Sequence, residues 1–104
     1  MNRIGFKMDL LPGSTAEYRN RHDNIWPELK ELLKATGISA YSIFLEEETN
    51  VLFAVFTATD RRLLDSLSSH LLMKKWWNYM RDITKSNPDG TPVITPLTEV
   101  FYLA

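Results

Sequence analysis

A phenol and an imidazole, Tyr18 and His22, stand four residues apart in the run Tyr18-Arg19-Asn20-Arg21-His22-Asp23-Asn24-Ile25-Trp26-Pro27-Glu28-Leu29. In a helix that spacing puts both on one face, so a hydrogen-bonding hydroxyl lies beside a side chain that titrates near neutrality. Such an imidazole can both give and take a proton at pH 7, which makes His22 the best candidate for acid–base work. A second run, Trp76-Trp77-Asn78-Tyr79-Met80, adds an adjacent tryptophan pair. Indole faces cover the apolar C–H surface of a pyranose, so the two runs together have the makings of a sugar site.

The same residues also have plainer readings. His22 could equally tie down a helix kink, and adjacent tryptophans serve packing more often than ligand binding. On a helix, Trp76 and Trp77 project about 100° apart and cannot both occupy the middle of one narrow core stripe. One is expected in the core and the other facing a site. Tyr41, in an extended segment, shares a face with Ile43 and Leu45 and is expected to point toward the core, with a hydroxyl that needs a partner. His70 has no tyrosine or acid at helical spacing upstream and reads as surface or structural.

Other chemistries lack their residues. There is no cysteine, hence no disulfide framework, thiolate metal site or cysteine nucleophile, and this is compatible with a reducing compartment. Two distant histidines without a His-x-x-x-His pair lead us to expect no metal. Gly5, Gly13, Gly37 and Gly90 are isolated, so no phosphate-cradling loop and no nucleotide cofactor is indicated, nor is a serine nucleophile elbow. Twelve basic residues against thirteen acidic ones give a formal charge of −1 with no basic stripe, which argues against nucleic acid. No apolar run has the form of a signal peptide or the length of a membrane span, and a cytoplasmic address is the default expectation.

The elements that must hold these residues can be traced along the chain. At 104 residues one domain is expected, residues 1–104, large enough for its own core but with little to spare for a deep pocket. Ile4, Phe6, Met8 and Leu10 alternate as a strand ending at Pro12-Gly13. Ser14-Thr15-Ala16-Glu17 has the spacing of a capping box opening the helix that carries Tyr18 and His22. Asp23, Asn24 and Pro27 predict a break after His22. A second helix follows, with Ile25, Leu29, Leu32 and Leu33 as its stripe and Gly37 as a left-handed stop.

Residues 38–46 and 51–59 are rich in β-branched and aromatic types and read as a hairpin. Asp60 can cap a helix whose Leu63, Leu64, Leu67 and Leu71 recur at helical intervals, with an interruption at Ser68-Ser69 and an end near Met80. Residues 86–92 form a loop that could border a site, and a last strand is expected near Thr98 to Leu103. The order strand, helix, strand, strand, helix, strand matches the ferredoxin-like split motif, an α+β fold with an antiparallel sheet. One sheet face is then left to bury itself elsewhere, and two such sheets facing each other would make a dimeric α+β barrel.

The motifs Tyr18-x-x-Arg21-His22-x-x-Ile25-Trp26-Pro27-Glu28-Leu29, Trp76-Trp77-x-Tyr79-Met80, Asn87-Pro88-Asp89 and Glu99-Val100-Phe101-Tyr102-Leu103 strongly resemble the L-rhamnose mutarotase family, over almost the whole chain at matching spacing. The resemblance implies a homodimer of ferredoxin-like subunits with a strand exchange at the interface. It also implies a cofactor-free interconversion of α and β anomers in which His22 is the proton donor and Tyr18, Tyr41, Trp76 and Trp77 contact the sugar. Asp23-Asn24, Asn78 and Ala104 depart from the family pattern. The expected chemistry is ring opening of a hemiacetal with His22 protonating the ring oxygen, the base being either a tyrosine or a held water. Two rival readings remain on sequence grounds. One is a cofactor-independent oxygenase or haem-binding barrel protein using His22 or His70, which a Soret band would reveal. The other is a sugar sensor without catalysis.

Overall fold

Period-two alternation builds the sheet, and helical stripes cover one side of it. The computed structural model describes residues 2–104. Its elements run β1 (Asn2–Asp9), α1 (Thr15–Asp23), α2 (Pro27–Ala35), β2 (Ile38–Glu46), β3 (Val51–Ala58), α3 (Arg61–Leu67), α4 (Leu71–Met80) and β4 (Ile94–Leu97). The four strands form one antiparallel sheet in the order β2-β3-β1-β4, the ferredoxin-like arrangement. No helix among the described residues is long and apolar enough to cross a membrane.

Directly paired residues share a face of an antiparallel sheet. Ile4, Phe6 and Met8 lie opposite Phe56, Ala54 and Leu52, and Ile43 and Leu45 lie opposite Ala54 and Leu52. This is the face the helices cover, and Leu52, Ala54, Phe56 and Ala58 are all buried on it. Two clusters make up the core. One gathers Leu10, Tyr18, Leu29, Leu52, Met73, Trp76, Met80 and Ile83, and the other Ile38, Phe56 and Ala58. Leu33 and Leu67 pack against both, which joins them.

The helix boundaries follow local chemistry. Asn24 closes α1, and Trp26 sits at the start of α2 in extended geometry, as the residue before Pro27 must. Ile25 therefore lies in the break rather than in a helix, yet still packs on the core. Gly37 ends α2 at φ +90, and a β-carbon there would also collide with the Thr59 hydroxyl, so two constraints converge on glycine. The Asp60 carboxylate accepts from the Arg62 N–H at 2.8 Å to start α3. Leu64 and Leu67 pack inward, whereas Leu63 and Leu71 are exposed. His70 starts α4, its Nδ1 accepting from the Leu72 N–H at 3.1 Å, which gives it a structural role at a helix start.

Two expectations are corrected. The Ser14 side chain makes no capping bond, its backbone at φ −102 and ψ 6 lying outside the extended geometry of a side-chain cap, and the Glu17 carboxylate that would complete the box accepts instead from Arg21 Nε at 2.8 Å. The last strand is Ile94–Leu97, not Thr98–Leu103. Leu97 pairs with Gly5 at the end of that ladder, and the chain then leaves the sheet. Its tail is held by Arg3, which donates to Glu99 at 3.0 Å and lies 4.2 Å over the Tyr102 ring.

Candidate active site

A cavity of about 1110 Å³ opens between the helices and the covered face of the sheet, ample for a monosaccharide. Tyr18, His22, Tyr41, Trp76 and Trp77 all line it. The structure thus brings together side chains from α1, β2 and α4 that are up to 59 residues apart in the chain.

The helical spacing of Tyr18 and His22 sets their rings side by side, centroids 4.3 Å apart and tilted by 31°. His22 Nδ1 lies 3.0 Å from the Tyr18 carbonyl oxygen, and because a carbonyl only accepts, Nδ1 is the donor. Nε2 is left as the nitrogen available to a ligand. Burial holds the imidazole below its ordinary pKa, partly offset by the Tyr18 carbonyl and by Asp23, so the neutral ring prevails at pH 7. The Trp76 ring meets His22 edge-on at 5.5 Å and 89°.

Trp76 is buried and Trp77 half-buried, yet both reach the cavity, so the division between one core and one site-facing indole is softer than the helical projection suggests. Tyr41 shares the helix-covered face as expected and stacks on Phe56 at 5.1 Å and 17°. The residue remains 40% exposed, but its hydroxyl lies within protein, and burial pushes that hydroxyl up to about 12. The Tyr18 hydroxyl is raised further, first by burial and then by the charge of the Tyr41 phenolate.

Residues next to the site hold it in place; Arg21, Trp26 and Tyr79 stand in the sequence motifs but were given no role there, and Asp82 was not noted. The Arg21 guanidinium, 9% exposed, donates through Nη1 and Nη2 to both oxygens of Asp82 at 2.8 and 3.1 Å, and through Nη1 to the Tyr79 carbonyl at 2.8 Å. It also lies 4.4 Å over the Tyr79 ring. This fork ties α1 to the end of α4; it holds the Asp82 carboxyl below its usual range and raises Arg21 further above its own. Trp26 packs edge-on against Trp76 at 5.1 Å and beside Tyr79 at 5.6 Å. Its position four residues after His22 was the available signal. For Asp82 the sequence carries none, since its partner is 61 residues away.

An α+β protein of ferredoxin-like topology that sets one titratable imidazole among phenols and indoles around a cavity has the groups that acid–base chemistry on a small molecule requires. The family model for L-rhamnose mutarotase matches residues 3–103, and the chain belongs to that family. L-rhamnose mutarotase of Jannaschia sp. is 50% identical over 103 residues, covering 99% of each chain. That of Listeria monocytogenes is 49% identical over 104 residues, the whole of both. The crystal structure of L-rhamnose mutarotase from Formosa agariphila superposes with a TM-score of 0.93 at 48% identity over 100% of each chain. An antibiotic biosynthesis monooxygenase, at 14% identity and a TM-score of 0.53 over 96% of this chain and 99% of its own, shares the fold alone.

Proposed function

We propose that this protein interconverts the α and β anomers of L-rhamnopyranose by opening and reclosing the ring, with His22 as the proton donor. The full-length match to L-rhamnose mutarotases at about half identity carries the choice of sugar. The cavity supports the chemistry. A hemiacetal opens when its anomeric hydroxyl loses a proton and its ring oxygen gains one, and it recloses on the other face of the carbonyl. Trp76 and Trp77 pack on the apolar face and methyl group of the sugar, and Tyr18 and Tyr41 hydrogen-bond its hydroxyls. No cofactor takes part.

Saturation transfer between the α and β anomeric proton signals of L-rhamnose tests this directly. Catalytic amounts of protein are expected to carry exchange well above the rate in buffer. Exchange that stays at the solvent rate while the sugar binds firmly would select the sensor reading instead.

The chain is further read as a single-domain cytoplasmic homodimer. Its two core clusters are joined, and the sheet face away from the helices leaves Phe44 65% exposed beside Phe53 and Leu97. Val100, Phe101 and Leu103 of the tail are also open to solvent. Covering such area is what a second copy would do, in keeping with the strand exchange that the family resemblance implies. Light scattering on the purified protein is expected to give twice the chain mass, and a monomer at micromolar concentration would remove this part of the reading.

A further inference from the structure

The helix that carries Tyr18 and His22 lacks the means by which surface helices are ordinarily held. Its sequence, Thr15-Ala16-Glu17-Tyr18-Arg19-Asn20-Arg21-His22-Asp23, contains no Leu, Ile, Val, Met or Phe, so it has no aliphatic stripe to bury. Thr15, Tyr18, Arg19, His22 and Asp23 border the cavity, which gives one side of α1 over to the site. The residues that α1 buries are Tyr18, which stands in the site, and Arg21, which does not line it. The chain turns at Gly13, φ +79, before the helix and breaks over residues 24–26 after it, so the tilt of α1 is not carried over from β1 or α2.

Arg21 supplies the missing anchorage. Its Nε donates to Glu17 one turn earlier on α1, and its Nη groups reach the end of α4, to both Asp82 oxygens and to the Tyr79 carbonyl. A planar guanidinium held along these edges is fixed in angle as well as in distance, which a leucine packed in the same place would not be. The bonds also meet the part of α4 that supports the site. The Tyr79 ring under the guanidinium lies 5.7 Å from the Trp76 ring, and Trp26 packs against both. Arg21 thus holds α4 at Tyr79, three residues after Trp76, and stands next to His22 on α1. Asp82 is exposed, and an ion pair that reaches the surface adds little to stability, so what the fork supplies is geometry.

We propose that Arg21 is a positioning residue for anomer exchange: its fork on Asp82 and the Tyr79 carbonyl sets the His22 imidazole of α1 at its working distance and angle from the Trp76 indole of α4. The assignment rests on the mutarotase reading above. The distance so held is the edge-on contact of His22 with Trp76 at 5.5 Å. A sugar packed on the indoles is carried by α4, whereas the proton donor is carried by α1, so a slip of one helix against the other moves the imidazole relative to the sugar. A misplacement of about 1 Å costs a positioned reaction up to roughly 10²-fold, while the sugar, still packed on its indoles, is bound almost as before. Arg21 itself does not line the cavity and takes no part in the proton transfer.

Kinetics of Arg21→Lys, Asp82→Ala and the double variant test the assignment, by saturation transfer on protein that circular dichroism shows to be folded at the assay temperature. Lysine keeps the charge but offers one nitrogen and cannot span both Asp82 oxygens and the Tyr79 carbonyl. Asp82→Ala removes the other half of the fork from an exposed position, where no core packing is lost, so it decides the question even if Arg21→Lys does not fold. Each single variant is expected to lower kcat roughly 10-fold with KM within about threefold, and the double variant to lose no more than the larger single loss, as residues acting through one contact do. A merely structural tie would lower the urea midpoint and leave kcat of the folded protein unchanged, and that result would overturn the proposal. So would a raised KM with intact kcat, a kcat loss confined to one partner, or losses that multiply in the double variant. Wild-type exchange at the solvent rate would remove the mutarotase reading and the proposal with it, an outcome distinct from slow variants beside an active wild type.

Discussion

His22→Gln is expected to lower kcat for anomer exchange roughly 10²- to 10⁴-fold, the span that a positioned acid–base group contributes, with little change in sugar affinity. Glutamine preserves polarity and approximate length but cannot exchange a proton at neutral pH. The imidazole contributes more than proximity: Nδ1 is committed to the Tyr18 carbonyl, burial keeps the ring neutral, and Trp76 closes one edge. His22→Ala should give the same kcat loss with a somewhat looser site. Excess exchange over buffer, measured by saturation transfer at saturating sugar, reads kcat, and titration calorimetry reads affinity. An unchanged rate in either variant would sink the assignment of His22.

Leu29→Ala is expected to be the most damaging single truncation for stability. Leu29 is 0% exposed and sits in the larger cluster, reaching from α2 into the space that Tyr18, Leu52 and Trp76 share. Removing three buried carbons costs their transfer free energy plus the void left behind, roughly 2–5 kcal/mol in all. Against the ~5–15 kcal/mol that typically separates folded from unfolded chains, that is a large share. Urea unfolding is expected to show a lower midpoint at unchanged slope, with wild type and variant compared at equal protein concentration because subunit association would shift both. A loss under ~1 kcal/mol would mean that the surrounding side chains collapse to fill the space.

How far the sequence revealed this depended on the range of the interactions involved. Tyr18 and His22 were readable because helical geometry alone makes residues at i and i+4 neighbours. The break after His22 was readable because Pro27 constrains its own backbone and that of Trp26. The capping box failed at the same short range because Ser14 does not take the extended backbone a cap uses and the Glu17 carboxylate is engaged by Arg21, itself held by the Tyr79 carbonyl of α4 and by Asp82 just beyond that helix. The last strand was misplaced for a related reason. Residues 98–103 have strand-like composition, but pairing needs a partner, and the β4 ladder with β1 ends at Gly5. Face assignment by alternation placed Tyr41 correctly on the helix side, yet alternation contains no bulge, so the slip between Ser39 and Ser42 and the positive φ of Ala40 could not be foreseen. The fork of Arg21 on Asp82 and the packing of Trp26 on Trp76 are contacts that only the folded chain creates.

The position of the indoles has a practical consequence. All three tryptophans of the chain, Trp26, Trp76 and Trp77, stand in the cavity wall or directly against it. None is left elsewhere to contribute a constant background. The ultraviolet emission of the protein is therefore a local signal, and the edge contact of His22 with Trp76 exposes that signal to the charge of the imidazole, since an imidazolium quenches a nearby excited indole. This small enzyme carries its own optical gauge of whether the site is filled and whether its histidine is charged, without label or chemical modification.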